Sequence, residues 1–331
     1  MTNHRALGDS DIRVAPVALG CMSLCGNMTY DDIPEQQAID TIHAAIDAGV
    51  TLFDTAPMYG DGESERRLGL ALRGGKRDGV VVADKVSSNA MRYDEVLRGV
   101  ETSLRLLQTD RLDLLQIHWA SSDVPLDETM RAMEKLLQDG KVRALGVCNF
   151  GPTDLANVLE KHRVETNQIP YNLLLRGAEF DLRGLCAERN IGILCYSPLA
   201  QGLLTGRYTS ADKVPPGRAR TRHFAKTRPQ ARHNEPGCER ETFAAIARVK
   251  QVCDQIGKEM ADVALAWLLH QPAVACVLAG ASRPDQIKQN VEAARIELSP
   301  DALKQLDDAT NEVKQKLGPN VDPWQTASRI K

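Results

Sequence analysis

Val50-Thr51-Leu52-Phe53-Asp54-Thr55-Ala56-Pro57-Met58-Tyr59-Gly60 is the stretch that decides the fold. An apolar, strand-forming run ends in an acid, and a loop bearing Pro and Gly opens behind it. The pattern recurs twice downstream. Val80-Val81-Val82-Ala83-Asp84 ends in Lys85, and Leu112-Asp113-Leu114-Leu115-Gln116-Ile117 ends in His118. Lys85 follows Asp54 by 31 residues and His118 follows Lys85 by 33, each about one strand-plus-helix unit. Strands at that spacing, delivering polar groups at their C-terminal ends, are how an α/β barrel builds an active site.

The rhythm extends in both directions. Gly8-Asp9 marks a turn in a small N-terminal β-hairpin, and Val17–Gly20 reads as a first buried strand. Ile39, Ile42 and Ile46 set a helical stripe that Gly49 closes. Further strands are expected at Val142–Cys148, Val164–Gln168, Ile191–Tyr196 and Val274–Leu278, with helical stripes between them. Eight continuous apolar runs alternating with helices call for a parallel sheet buried on both faces. No G-x-G-x-x-G follows an early strand, which argues against a Rossmann fold. The expected fold is therefore an α/β (β/α)8 TIM barrel, one domain over residues 1–331. Strand alternation puts Val50 and Leu52 with Asp54, Val81 and Ala83 with Lys85, and Leu112, Leu114 and Gln116 with His118, all in phase for the barrel interior.

Two segments break the pattern. Residues 207–240 carry nine Lys or Arg against three acids and include Pro215-Pro216-Gly217. A basic loop that long inside a barrel reads as a lid or mobile segment. The tail from Gly318 to Lys331 holds Pro319, Pro323 and Trp324, after a helix opened by Ser299-Pro300-Asp301.

Composition bounds the function. The 331 residues are 43% hydrophobic and 26% charged, with a net charge of −3, so no nucleic-acid footprint is expected. No apolar run approaches the roughly 20 residues of a membrane span. Met1-Thr2-Asn3-His4-Arg5 lacks the apolar core of a leader. None of the eight cysteines forms a C-x-x-C pair, which suits a reduced, cytoplasmic protein. The seven histidines contain no H-x-H and no H-E-x-x-H, and no G-x-S-x-G elbow is present, so neither a catalytic metal nor a serine hydrolase is expected.

Taken singly, Asp54, Lys85, Tyr59 and His118 would read as surface charges, a rim aromatic and a core histidine. Together, on adjacent units with matching parity, they suggest proton transfer. A tyrosine is a weak acid, with an ordinary pKa of about 10. A nearby ammonium such as Lys85 favours the phenolate, and Asp54 can hold that lysine in place. His118 can orient the same oxygen through a ring N–H. The set is suited to protonating a carbonyl oxygen while its carbon is attacked.

The motif order resembles the aldo-keto reductase superfamily. Phe53–Gly60 with Glu63 and Leu68-Gly69, then Lys85, Asp110–Trp119, Gly140–Phe150, Gln168–Asn172 and Tyr196–Gly206 match its motifs in sequence. The branch that it looks most like is the bacterial one similar to potassium-channel β-subunits. The resemblance implies an NADP(H)-dependent oxidoreductase that interconverts aldehydes, ketones or sugars and alcohols. It implies Tyr59 as general acid/base, Lys85 and Asp54 tuning it, and His118 orienting the carbonyl. It also implies that Asn149 and Gln168 hold the cofactor carboxamide, that Tyr196 stacks on the nicotinamide, and that Ser197, Leu199 and Gly202 line the pyrophosphate. Gly280, Ser282, Arg283 and Gln286 would meet the adenosine phosphate end, with Asn290 near the adenine.

Three positions depart from the family pattern: Asp84 before the lysine, Gln289 in place of a glutamate, and Ser282 in place of an arginine. The last two keep NAD(H) open as an alternative cofactor, whereas the basic loop favours the more anionic one. A cofactor-loaded redox sensor or protein-binding module, like the channel subunits, is the competing function, and a homo-oligomer is left open.

Overall fold

The computed structural model describes residues 4–26, 31–121 and 123–331. Residues 1–3, part of the stretch read for a leader, lie outside the described residues. Strands β1 (Arg5–Ala6) and β2 (Arg13–Val14) pair antiparallel as a hairpin. Eight parallel strands follow and close into a barrel. They are β3 (Val17–Gly20), β4 (Leu52–Asp54), β5 (Val81–Val86), β6 (Leu112–Ile117), β7 (Val142–Cys148), β8 (Thr166–Pro170), β9 (Gly192–Tyr196) and β10 (Val274–Gly280). β10 pairs with both β9 and β3, which shuts the cylinder.

The helices are α1 (Glu35–Asp47), α2 (Glu63–Ala71), α3 (Tyr93–Leu107), α4 (Leu126–Gln138), α5 (Pro152–Leu159), α6 (Leu182–Glu188), α7 (Glu239–Gln255), α8 (Met260–Leu269), α9 (Pro284–Ala293) and α10 (Pro300–Leu317). Sequence periodicity did not expose α7, which begins where the long basic loop ends. Its buried stripe packs mainly on α10 rather than on the barrel.

Two apolar clusters follow from strand alternation. Val82, Leu115 and Ile117 face outward to the helices, whereas Val50 and Leu112, expected inside with Leu52 and Leu114, join this outer cluster because they sit where the chain enters β4 and β6. Ala18, Leu52, Val81, Ala83, Leu114, Ala144, Leu194, Cys276 and Leu278 fill the barrel interior. Leu7, Ile12 and Val14 of the hairpin join the interior set and plug the N-terminal end. The opposite end, where the strands' C-termini emerge, is left to polar side chains.

The segment between β9 and α7 is built of turns and packed down rather than standing free as a lid. Arg222 is buried, and its guanidinium donates to Glu235 Oε1 and to the backbone carbonyls of Leu317, Asn320 and Asp322. Its own N–H goes to the carbonyl of Pro323 at 2.7 Å. This loop therefore holds the C-terminal tail. The tail crosses the barrel mouth and ends against the start of α5, where the Lys331 N–H donates to Asp154 Oδ2 at 2.7 Å.

Candidate active site

β4 stops at Asp54 because Thr55-Ala56-Pro57 turns away; Pro57 has no N–H to extend a ladder. The Thr55 N–H still bonds to the Ala83 carbonyl at 2.9 Å, so the loop leaves from a fixed point. The Tyr59 N–H closes a turn onto the Ala56 carbonyl. Gly60 then takes a left-handed φ of 62°, where a Cβ would also press on Cys25 at 3.1 Å. The tyrosine is thereby delivered over the end of β5.

Alternation along β5 aims Lys85 inward. Its Nζ donates to Asp54 Oδ2 at 2.8 Å and to the Thr55 carbonyl at 2.7 Å. The same Nζ lies 4.8 Å from the centre of the Tyr59 ring. His118 meets Tyr59 edge-on, with ring centres 5.9 Å apart at 83°. The three strand-end residues and the loop tyrosine picked from the sequence are thus brought together at one mouth.

Burial dominates their ionisation. It pushes the Tyr59 hydroxyl well above the ordinary tyrosine value; Lys85 pulls downward but does not overcome it. The ammonium's influence has the direction expected from sequence, yet the net shift is opposite, because desolvation of a phenolate in this cleft is the larger effect. Burial also opposes the charge on Lys85, but Asp54 and its neighbours outweigh it and hold the ammonium above its usual range. His118 is pushed down to about 3, first by burial and then by Lys85. At neutral pH the cluster therefore presents a protonated tyrosine, a charged lysine and a neutral imidazole. Such a cluster can donate a proton without changing its own charge distribution beforehand.

Asn149 and Gln168 sit beside this cluster. Asn149 adopts a left-handed φ of 60°. Its Nδ2 donates to the His118 carbonyl and its Oδ1 accepts from the Tyr196 hydroxyl at 2.8 Å. Gln168 Nε2 donates to Asp54 Oδ1 at 2.8 Å. Gln116, read from sequence only as an interior position, also donates to that oxygen at 3.3 Å. A buried amide two residues before the strand-end histidine, on the same face, was the available signal.

The loop after β9 carries the next group. Ser197, Ala200, Gln201 and Gly202 all have positive φ, at 52°, 47°, 56° and 96°. The Ala200 N–H donates to the Ser197 carbonyl and the Gly202 N–H to the Leu199 carbonyl, each at 2.9 Å, which fixes the turn. Arg218 from the basic loop reaches it, donating to the Gln201 carbonyl at 3.3 Å, and a Cβ on Gly202 would lie 3.0 Å from its Nη1. Leu199 lies within the same turn. Gly280 ends β10, and Ser282 and Arg283 follow it; Gln286 Oε1 accepts the Ser282 N–H at 2.9 Å. Arg283 stands at the N-terminal end of α9, exposed and paired with Asp285. Asn290 lies buried on α9. Gln289 donates to Asp262 instead.

The tail supplies walls that sequence pattern only hinted at. Trp324 stacks parallel to Tyr196 and also meets Trp119, each at 6.3 Å between ring centres. Arg329 lies 4.0 Å over Trp119 and is ion-paired with buried Asp322. Among the described residues, no group of three or more His, Cys, Asp or Glu side chains could hold a metal, and no helix is long and apolar enough to cross a membrane.

The fold and mouth are those of an α/β barrel with its polar cluster at the strands' C-terminal ends, and comparison with known proteins places it. Residues 16–311 match the aldo/keto reductase family, and the chain belongs to that family. It is 31% identical to the aldo-keto reductase YhdN of Bacillus subtilis, over 96% of each chain. It is 29% identical to a putative voltage-gated potassium channel subunit beta of Schizosaccharomyces pombe, over 93% of each. Among solved structures it resembles an aldo-keto reductase from Klebsiella pneumoniae in complex with NADPH, with 30% identity, coverage of 100% and 99%, and a TM-score of 0.74.

Proposed function

We propose that this protein reduces aldehydes or ketones to alcohols, or runs the reverse oxidation, with NADP(H) as hydride carrier. The observation that carries the reading is Lys85 Nζ, held 2.8 Å from Asp54 Oδ2 and 4.8 Å from the Tyr59 ring centre, with His118 on the tyrosine's other flank. The residues present suit the cofactor. The tight turn at 197–202, reached by the Arg218 guanidinium, suits a pyrophosphate through that charge. Tyr196, stacked with Trp324, is the aromatic ring that the family resemblance assigns to the nicotinamide. Asn149 and Gln168 offer amide groups for its carboxamide, and the family resemblance assigns Gly280, Ser282, Arg283 and Gln286 to the adenosine phosphate end and Asn290 to the adenine.

When bound, the cofactor supplies the hydride that reaches the carbonyl carbon. The chain's own residues manage the oxygen. Burial keeps the Tyr59 proton in place until negative charge develops on that oxygen. The Lys85 ammonium then stabilises the phenolate left behind, and Asp54, held by Gln168 and Gln116, keeps the ammonium in position. Neutral His118 orients the carbonyl by donating a ring N–H without competing as an acid. General acid catalysis of this kind contributes about 10²–10⁴-fold. Consumption of NADPH against a panel of aldehydes, ketones and sugars tests the reading. Turnover supports it, and no turnover across the panel by protein that binds NADPH would favour the binding-module alternative.

A further inference from the structure

Asp84 and Glu65 have no part in the chemistry above, yet their placement calls for an explanation. Asp84 precedes Lys85 on β5, so alternation turns it outward, beneath α2 and α3. It is 0% exposed and Glu65, from α2, is 1% exposed. Both oxygens of Glu65 and Oδ2 of Asp84 are buried without a hydrogen-bond partner. Two buried carboxylates in contact and without a facing cation would be costly, since desolvation and like charge act together. The charged or titratable neighbours are Lys85 on the same strand and the Cys21 thiol after β3. α3 contributes the Ser103 hydroxyl.

Asp84 Oδ1, by contrast, has a task. β4 ends at Asp54, so the Lys85 N–H, which points to the β4 side, has passed the end of its partner strand. Asp84 Oδ1 accepts it at 2.8 Å. One proton between the two side chains answers two of the three remaining oxygens. Placed on Glu65, it donates to Asp84 Oδ2, leaves Oδ1 free to accept from Lys85, and reduces the pair's charge from two to one.

We propose that Glu65 and Asp84 share a single proton, and that Glu65 is thereby a positioning residue for Lys85, acting through the Asp84 carboxyl that caps the lysine's backbone N–H. The proposal rests on the role given to Lys85 above. Burial raises both acids above the ordinary carboxylate range, which favours keeping one proton on the pair. The sign follows from Glu65. Its folded value lies above the ordinary 4.5, so the stability it contributes is present below that value and is lost as pH rises to about 8.

The test is the infrared carbonyl stretch of a protonated carboxyl, compared between native protein, Glu65→Gln and Asp84→Asn. Glu65→Gln keeps a donor and an acceptor between the two side chains without needing the proton. The native protein should show the band at about pH 7 and lose it towards about pH 9; Glu65→Gln should lack it, and Asp84→Asn should shift it, since the proton's acceptor has changed. Their unfolding midpoints should fall less between those pH values than the native midpoint does, and their kcat at the higher pH, relative to the lower, should exceed the native ratio severalfold. Absence of the band from native protein at neutral pH would overturn the proposal, even where a variant fails to fold. So would a band unchanged in both variants, or native and variant pH profiles that coincide. The infrared and stability readouts involve no turnover, so an inactive native protein would count against the reductase reading and leave this result standing.

Discussion

Replacing Lys85 with methionine separates the stability of the buried ion pair from its role in turnover. Methionine keeps most of the stem and its packing. What is lost is the ammonium, which bonds to Asp54 Oδ2 at 2.8 Å and to the Thr55 carbonyl at 2.7 Å inside a closed barrel. The Asp54 carboxylate is then left buried with donors from Gln168 and Gln116 on Oδ1 alone. Removing one partner of a buried pair costs about 3–5 kcal/mol, because the other charge stays uncompensated. The urea midpoint should fall accordingly with its slope unchanged. Adding Asp54→Asn removes that stranded charge and should restore more than half of the lost stability, since the two sites share one interaction and are not additive. Turnover should not return. Without the ammonium the phenolate of Tyr59 has no stabilising charge, so kcat should stay about 10²–10⁴-fold down in both variants. The assay is urea unfolding alongside NADPH oxidation with one accepted aldehyde. A Lys85→Met protein as stable as native, or a double variant that regains turnover, would refute the reasoning.

Other expectations follow from the same contacts. His118 is pushed down to about 3, so its ring resonances should not titrate between about pH 5 and 8 in the folded protein. Since its folded value lies below the ordinary 6.5, it should cost stability as pH falls below that value, and His118→Gln should reduce that acid sensitivity. Arg222→Ala strands the carbonyls of Leu317 and Asn320, at about 1–3 kcal/mol. It should also loosen the tail. Faster proteolysis after Leu317 and altered Trp324 fluorescence would show that, whereas unchanged cleavage would mean that the loop does not hold the tail.

Much of the barrel could be read before any coordinates. Val81, Ala83 and Lys85 share the interior face, as do Leu52 with Asp54 and Leu114 with Gln116, because strand alternation is strict and the runs are uninterrupted. Strand ends were less legible. β5 runs on to Val86 and β8 to Pro170, past the polar residues that looked like stops, since pairing with neighbours and not local polarity sets those ends. Helix α7 was hidden because its stripe faces α10, far along the chain. The clustering of Asp54, Tyr59, Lys85 and His118 was visible in motif spacing. The net direction of Tyr59's ionisation was not, because it depends on how deeply the cleft desolvates a phenolate. The Arg222 clamp and the seating of Trp324 on Tyr196 join segments that no local pattern links. Asp84 stood out as a departure, but its partner Glu65 is brought to it only by the packing of α2 on the barrel.

The most direct measurement of the central claim is Tyr59→Phe, assayed for NADPH binding by fluorescence and for turnover of an accepted aldehyde. The exchange removes one hydroxyl and keeps the ring that meets His118 and lies over Lys85. The account predicts binding close to native with kcat lowered about 10²–10⁴-fold. Turnover equal to native in a variant that still binds NADPH would contradict it.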